Sequence, residues 1–422
     1  GLYNEDSAHN TYEVYGKNCF DNYYSLNCDQ CSHCVNCERN YQTHHSYECH
    51  DSLNTYYSYD CRNCSNVVGC AGLRNKQYCI FNDQYTKESY NEFLEKYPLS
   101  SFKFQEWWKD ESKRVWNESP HRETMIFKAV NSSGNDLTEA KNVKNSWQCT
   151  KLEDCKNMYI AGWIRDSQDC SCFGAAELAY ECAHSGGAYN SKFLLFCLSS
   201  DPLKKMTITN VEYTATSSSV SNCFGCVGIR GGEYMILNRR YTKEEYNEIL
   251  PKIKQHMIDM PYIDSKGRIY KYGEFFPSEL SPFGYNETTG QEFRKLSEEQ
   301  AKDQGYVWSN YVSDINYKFS DYEIPDDIKD VADNILEKIL KCEITSKAYK
   351  LIPLELSFYR NTGLPIPRLH PNERHDERIR SLLPCQLFVR ICDLCNKEIN
   401  TPYEPGRPEK VYCESCYQQE VL

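Results

Sequence analysis

Small side chains recur at every third position through the first eighty residues of the chain. The cysteines of this stretch all share that phase: they are Cys19, Cys28, Cys31, Cys34, Cys37, Cys49, Cys61, Cys64, Cys70 and Cys79. From Cys19 to Leu73, the other positions of the same phase hold only Ser, Thr, Asn, Val or Leu. Amphipathic helices repeat near 3.6 residues and simple strands at 2, so neither explains this period.

A twelve-residue repeat is combined with this three-residue period, which we call the triplet. Residues 39–50 (RNYQTHHSYECH) align without gaps on residues 51–62 (DSLNTYYSYDCR). The triplet returns, shifted by one in phase, over residues 143–200, and a stretch near 201–210 that breaks it predicts a protruding loop. Five residues of this second block repeat twelve apart: Gly162, Gly174 and Gly186, and Cys170 with Cys182. We expect these glycines at a corner that needs unusual backbone angles.

These patterns predict a mainly β fold: a duplicated narrow β-solenoid of about twelve residues per coil, with capping helices and a small α+β module at the C-terminus. Each coil of a solenoid points regularly spaced residues inward and stacks about 4.8 Å above its neighbour. We interpret most cysteines as core filler, because Cys packs like a small hydrophobe. For Cys28, Cys31, Cys34 and Cys37, disulfides across the core or a metal cluster are alternatives.

The two blocks share their closing segment. Residues 69–94 match residues 225–250 at a constant offset of 156 residues, and each copy ends with a short apolar strand followed by Tyr-Thr-Lys-Glu. Thr86 and Thr242 are predicted N-caps of the helices that follow. We expect these helices to cap the open end of a solenoid, where unpaired strand edges invite aggregation.

Outside the blocks, the composition changes. Residues 97–123 predict an amphipathic connecting helix with Trp107, Trp108 and Trp116 in the core, and helical periodicity returns at residues 296–304 and 326–340. The chain then divides into a first solenoid block (1–84), a helical connector (85–124), a second solenoid block (125–240), a capping helix with a connector (241–325) and a C-terminal module (326–422), which the cysteines described next indicate to be a zinc ribbon.

Four cysteines near the C-terminus carry the strongest chemical signal. Their spacing is that of a zinc ribbon: Cys392-x-x-Cys395 is followed, after seventeen residues, by Cys413-x-x-Cys416. Cysteines fill all four protein positions and leave none open for a catalytic water, so we predict a structural zinc ion. A weaker second metal site is predicted upstream, with a zinc-free remnant or ordinary surface histidines as the alternative. Its residues are Cys342, His370, His375 and Cys385.

Charge and hydropathy narrow the function classes. Across the 422 residues, 48 Lys and Arg stand against 60 Asp and Glu, for a net charge of −12. This balance argues against a globally basic nucleic-acid clamp. The mean hydropathy of −0.71 and the lack of a long apolar run predict a soluble protein without a membrane partner. We expect a cytoplasmic location, with an extracellular or virion location as the alternative.

No Ser-His-Asp arrangement, phosphate loop, dinucleotide fingerprint or HExxH motif recommends a catalytic site. We expect a non-catalytic scaffold that binds an unidentified protein partner through a rigid solenoid surface and a zinc module, and that can form oligomers. The predicted binding face consists of Tyr23, Tyr24, His44, His45, Tyr56, Tyr57 and Tyr59. One alternative is a nucleic-acid-associated zinc-ribbon protein, whose tyrosines would stack on bases. Another is an extracellular or virion β-helix that binds carbohydrate, with disulfides across its core.

Four stretches carry a resemblance to a known family: FNDQYTKESYNEF, GEFFPSELSPFGYNET, IPLELSFYRNTGLPIPRLHP and YEPGRPEKVYCESCYQQEV. Over nearly its whole length the chain resembles an uncharacterised family of cysteine-rich zinc-ribbon proteins from metagenomic bacteria. The resemblance implies zinc and this architecture, but no activity. It also implies a cysteine-bearing module upstream of Gly1, and cysteines in relatives at the positions of Thr345 and His370.

Overall fold

The computed structural model describes residues 3–169, 209–311 and 317–421, together with five strand segments between residues 171 and 197. The chain divides into two compact units. The first unit comprises residues 1–123, 312–383 and 388–422, and the second comprises residues 124–311 and 384–387. None of the helices in the described residues is long and apolar enough to cross a lipid bilayer.

The described residues are rich in short strands, which form one five-stranded sheet, one thirteen-stranded sheet and four pairs. The strands are β1 (Tyr41–His44), β2 (Leu53–Tyr56), β3 (Ser65–Val68), β4 (Gln77–Ile80), β5 (Asp83–Gln84), β6 (Pro120–Arg122), β7 (Ile126–Phe127), β8 (Gly134–Lys141), β9 (Ser146–Glu153), β10 (Tyr159–Arg165), β11 (Ser171–Phe173), β12 (Ala176–Glu177), β13 (Ala183–Ser185), β14 (Ala188–Tyr189), β15 (Leu195–Cys197), β16 (Thr209–Glu212), β17 (Ser218–Phe224), β18 (Arg230–Ile236), β19 (Arg239–Arg240), β20 (Tyr262–Ile263), β21 (Ile269–Tyr270), β22 (Leu340–Lys341), β23 (Ala348–Tyr349), β24 (Phe388–Ile391), β25 (Glu398–Thr401) and β26 (Lys410–Tyr412). The α-helices are α1 (Lys87–Lys96), α2 (Phe102–Glu118), α3 (Lys243–Asp259), α4 (Thr289–Phe293), α5 (Glu298–Asp303), α6 (Pro353–Thr362), α7 (Pro371–Ser381) and α8 (Glu414–Val421).

A regular parallel ladder, called the first ladder, runs from Glu5 to Ile80. Its residues pair with residues twelve positions further along, from Glu5 with Lys17 to Val68 with Ile80. The twelve-residue repeat of the sequence is therefore the register of this ladder. The ten cysteines predicted to face inward are free thiols, each no more than 2% exposed.

The three positions of each triplet have different roles in the first ladder. The cysteine thiols donate to backbone carbonyls inside it, as Cys34 Sγ does to Thr43 O at 3.1 Å. The next position forms the parallel bridges, and the third turns the chain with a positive φ, even at Tyr15 (56°) and His33 (53°). Bulky residues rarely adopt this left-handed conformation, so the hydrogen bonds between neighbouring rows of the ladder must hold it.

The second unit contains a similar ladder, called the second ladder, from β7 to β18. β8, β9 and β10 pair in parallel at the same offset of twelve residues, and β16, β17 and β18 do so again. Between β14 and β16 the offset is twenty, since Tyr189 pairs with Thr209. The stretch near residues 201–210 that is predicted to form a loop lies outside the described residues, except for residues 209 and 210 in β16.

The predicted corner role of Gly162 is wrong. Gly162 lies inside β10, and the left-handed turns fall on its neighbours Ile160 (φ 46°) and Trp163 (φ 57°). A Cβ at position 162 would lie 3.4 Å from Thr150 Cγ2 on the neighbouring strand β9, which is an ordinary van der Waals contact. The other residues of that repeat, Cys170, Gly174, Cys182 and Gly186, lie outside the described residues.

The duplicated closing segments have the same structure in both units. In each, the last parallel strand turns back into a two-residue antiparallel strand, and a helix follows: β4–β5–α1 in the first unit and β18–β19–α3 in the second. The shared hydrogen bonds are Ala71 N to Asn82 Oδ1 and Val227 N to Asn238 Oδ1, both 2.8 Å, and Tyr85 N to Tyr78 O and Tyr241 N to Tyr234 O, both 2.9 Å. Thr86 and Thr242 cap their helices as predicted.

The strand edge at the end of the first ladder is covered by a strand. β5 pairs with β4, while α1 packs through Tyr90 against Val68, Ile80 and Trp108 on the outside of the ladder. α2 is the predicted connecting helix: Trp108 is fully buried, and Trp107 and Trp116 are half-buried.

Of the two helices predicted further on, one forms and one does not. α5 lies inside the predicted range of 296–304. Residues 326–340 instead form two short 3-10 helices, Ile328–Asp330 and Asp333–Glu337, in which Ile328 and Ile335 are buried. The N–H of Phe102 donates to the carbonyl of Asp326 at 2.9 Å, and this tertiary pairing replaces the first hydrogen bonds of an α-helix.

Candidate metal centre

Cys392 and Cys395 lie in a tight turn between the antiparallel strands β24 and β25. The N–H of Cys392 donates to Lys397 O at 2.8 Å, and the N–H of Asn396 donates to Cys392 O at 3.0 Å. Asn396 has a φ of 60°, a conformation that Asn tolerates better than most residues. The turn places both thiols on the same side of the hairpin.

Cys413 and Cys416 lie at the junction of β26 and α8. Cys413 follows β26 directly, and Cys416 lies within the first turn of α8. The N–H of Cys413 donates to Cys392 Sγ at 3.3 Å, so the second pair of cysteines is joined to the first by a hydrogen bond.

The four thiols converge. Their Sγ atoms all lie within 4.8 Å of one another, and Cys395 Sγ is 3.7 Å from Cys413 Sγ. A tetrahedral ion with metal–sulfur bonds of about 2.3 Å separates its sulfurs by about 3.8 Å. Cys395 is exposed, and the other three cysteines are buried. This group can hold a metal ion, and its donor set has no position for a catalytic water.

The environment of two of these thiols favours the thiolate that a metal requires. A hydrogen bond from the Ser415 hydroxyl, 3.3 Å away, lowers the pKa of Cys413 to about 6. Burial raises the pKa of Cys392, but the N–H groups of Leu394, Cys395 and Cys413 outweigh it, so this pKa also lies below its ordinary value. The pKa of Cys416 is raised, first by its hydrogen bond with Cys413.

The residues of the predicted second site are not brought together. Cys342 Sγ accepts a hydrogen bond from the N–H of Thr345 at 3.5 Å, and His375 Nδ1 lies 3.4 Å from the hydroxyl of Thr11. His370 Nδ1 accepts from the N–H of Asn372 at 3.1 Å, and Cys385 is exposed. Within the described part of the chain, only the C-terminal cysteines bring three or more metal-ligand side chains together.

Cys342 nevertheless lies in a turn with the same hydrogen bonds as the turn at Cys392. Its N–H donates to Lys347 O at 2.9 Å, and the N–H of Ser346, at φ 58°, donates back to Cys342 O at 3.0 Å. Thr345 occupies the position that corresponds to Cys395. This hairpin therefore has the shape of a metal-binding knuckle with one thiol missing.

The predicted aromatic binding face is not open in the structure. Of its seven residues, Tyr23, His44 and Tyr57 are buried and the other four are half-buried. The ring of His44 lies 6.0 Å from that of Phe358 in α6, and the ring of Tyr57 lies 6.3 Å from that of Trp108 in α2. These side chains belong to the interior of the first unit because helices from later in the chain cover them.

The C-terminal ribbon, residues 388–421, contacts the first ladder through a buried polar network. The Tyr417 hydroxyl donates to Asp60 and accepts from Arg74 Nη2 at 2.9 Å, and Arg74 pairs with Asp60 at 2.8 Å. The Tyr403 hydroxyl lies 3.1 Å from that of Tyr59.

A strand pair extends this contact. β26 runs parallel to β6, and Glu414 forms an ion pair with Arg122. Cys413 and Cys416 flank Glu414 and precede Tyr417, so a metal ion would fix the segment that makes these contacts. No sequence pattern predicts the network, because Tyr403 and Tyr417 lie more than 340 residues from the ladder residues that they contact.

No family model matches the chain, and a search of curated proteins finds no relative. The assignment of a role therefore depends on the geometry of the chain itself.

Proposed function

We propose that the protein is a non-catalytic scaffold whose C-terminal ribbon holds one structural zinc ion. The observation that carries this proposal is the convergence of four Sγ atoms within 4.8 Å of one another. Four thiolates in a tetrahedron favour zinc or iron, and a closed set of ligands is typical of a structural site. Zinc is preferred because the paired C-x-x-C spacing on two turns is that of a ribbon.

We infer that the ladders are β-solenoids. The parallel offset of twelve residues, the inward column of small side chains and the left-handed turn in every triplet support this inference. A solenoid distributes its contacts between neighbouring coils, which gives a rigid and extended surface suited to binding partners.

The contacts of the ribbon explain why a scaffold would need a metal. The ribbon has a small apolar core, in which Ile399, Tyr403 and Val411 are the buried residues other than cysteines. Modules of this size usually need metal or disulfides to fold. Zinc would hold the start of α8 in place, so that Tyr417 and Glu414 reach Asp60 and Arg122. In this role, the metal joins the end of the chain to the first ladder.

Native mass spectrometry of the full chain, with and without chelator, tests the proposal. We expect one zinc ion per chain, lost on chelation. Cys395→Ser should abolish zinc retention, because three thiolates remain from a set of four. Cys385→Ser is the matched control: it removes another exposed cysteine, outside the ribbon, and should leave the zinc content unchanged.

Two results would contradict the proposal. One is a chain that carries no metal yet shows a protected, folded ribbon in hydrogen exchange. The other is an equal loss of zinc in the Cys395→Ser and Cys385→Ser proteins, which would place the ion elsewhere.

A further inference from the structure

The duplicated closing segments allow the two units to be compared residue by residue, at an offset of 156. In the first unit, other parts of the chain cover this segment. The ring of Phe81 lies 5.8 Å from that of Trp107 and 5.4 Å from that of Trp108, both in α2. Ala71 is only 3% exposed. A Cβ at Gly69 would lie 2.9 Å from Ser112 Oγ, also in α2, so the helix is in close contact with the turn.

The equivalent positions of the second unit are uncovered. Leu237, which corresponds to Phe81, is 72% exposed, and Val227, which corresponds to Ala71, is 57% exposed. A Cβ at Gly225, the equivalent of Gly69, would meet only Leu237 within 4 Å. We call Gly225, Val227 and Leu237 the open corner.

The charge beside the open corner also differs from that of the first unit. Arg230, Arg239 and Arg240 are exposed, and none of them has an ion-pair partner in the described residues. In the first unit, Arg74 forms an ion pair with Asp60. Its equivalent in the second unit is Arg230, and there Thr216 occupies the position that corresponds to Asp60. Asp83 and Gln84 of the first unit correspond to Arg239 and Arg240. The open corner is therefore an apolar surface with a positive rim.

We propose that the open corner binds an acidic amphipathic helix of a partner protein, with an aromatic side chain over Leu237. α2 supplies the precedent for a helix at this position, because its tryptophans cover the equivalent turn in the first unit. The preference for an acidic helix comes from the second unit alone, where arginines replace Asp83 and Gln84. The positive rim selects acidic residues by charge complementarity. The proposal deepens the scaffold role and rests on it, but it does not depend on the zinc ion.

The probe is a labelled acidic variant of the α2 segment, residues 100–119 with Lys103→Glu, Lys109→Glu and Lys113→Glu, titrated with the full-length protein in fluorescence anisotropy. We expect micromolar binding. Leu237→Ser and Val227→Ser should each weaken it at least about tenfold, as expected for central apolar contacts. Val130→Ser, at another exposed valine of the second unit, is the matched control and should leave the affinity unchanged. Arg239→Glu should weaken binding and reduce its dependence on salt.

Three results would overturn the proposal. The first is the absence of peptide binding. The second is binding that Leu237→Ser does not change, which would mean that the peptide competes with α2 in the first unit. The third is a dimer of the full chain that Leu237→Ser dissociates, which would make a second copy the occupant. The zinc content is measured separately by mass spectrometry, so none of these three results bears on the metal assignment.

Discussion

Asp60 is the residue on which we expect the contact between the ribbon and the first ladder to depend most. It is 2% exposed and accepts from Arg74 at 2.8 Å, from Arg62 at 3.1 Å and from the Tyr417 hydroxyl. Asp60→Ala would leave Arg74, whose side chain is 15% exposed, without its counter-charge. Removing one partner of a buried ion pair costs about 3–5 kcal/mol. We expect about 3 kcal/mol here, since both arginines keep some contact with water.

Hydrogen exchange of residues 410–421, read by mass spectrometry, is the assay, because it reports the local opening of β26 and α8. A loss of about 3 kcal/mol corresponds to exchange roughly 100-fold faster. Asp60→Asn keeps an acceptor for Tyr417 and should lose about half as much. If exchange in this segment is unchanged in a folded Asp60→Ala protein, the network does not hold the ribbon on the ladder.

The same carboxylate makes this contact depend on pH. Burial raises the pKa of Asp60, but Arg74, Arg62 and the Tyr417 hydroxyl outweigh burial, so the pKa lies below its ordinary value of 3.8. A lowered pKa stabilises the folded state above the unfolded value, and that contribution disappears as the pH falls through the folded value. The difference in exchange between wild type and Asp60→Asn should therefore be constant near neutral pH and shrink below about pH 4.

Three further substitutions test the ladders and their ends, each measured by urea unfolding. Cys49→Leu should destabilise by about 1–3 kcal/mol because the inward column has no room for a larger side chain, whereas an uncrowded core would accept it. Gly69→Ala should cost more than Gly228→Ala: both glycines have a positive φ, of 66° and 70°, but only at Gly69 would a Cβ meet Phe81, at 2.5 Å. Equal losses of stability in the two variants would show that the backbone conformation alone, without the contact to Phe81, determines the cost. Thr242→Ala should remove the N-cap of α3 at a cost of about 1 kcal/mol, and no change would mean that tertiary packing fixes this helix end.

The sequence was sufficient to predict the register of the ladders, because one position of each triplet is buried and its residue type shows this. An inward position accepts only a small side chain, so Cys49 and Cys61 mark both the phase and the offset of twelve residues. The left-handed turns could not be predicted in this way. Asn, Asp and Gly occupy many of these positions, but Tyr15 and His33 occupy others, so residue type alone does not mark every turn and hydrogen bonds between neighbouring strands of the ladder hold the conformation. The misplaced corner at Gly162 follows from taking glycine as the marker of a turn.

The four cysteines of the candidate metal centre could be predicted for a related reason. The contacts that join the ribbon to the first ladder could not. Cys392, Cys395, Cys413 and Cys416 form two local turns, and the spacing within each turn is a property of a few adjacent residues. The network that joins the ribbon to the ladder depends on Tyr417 meeting Asp60, 357 residues away. Any buried carboxylate in the ladder could have been its partner. Which one it is depends on the packing of the whole first unit, in which α2 and residues 326–383 also cover the aromatic side chains that would otherwise form an open binding face. A metal ion held by the four thiols would have a physical purpose here: it would order the last segment, whose partners lie farthest away in sequence and whose contacts no local pattern specifies.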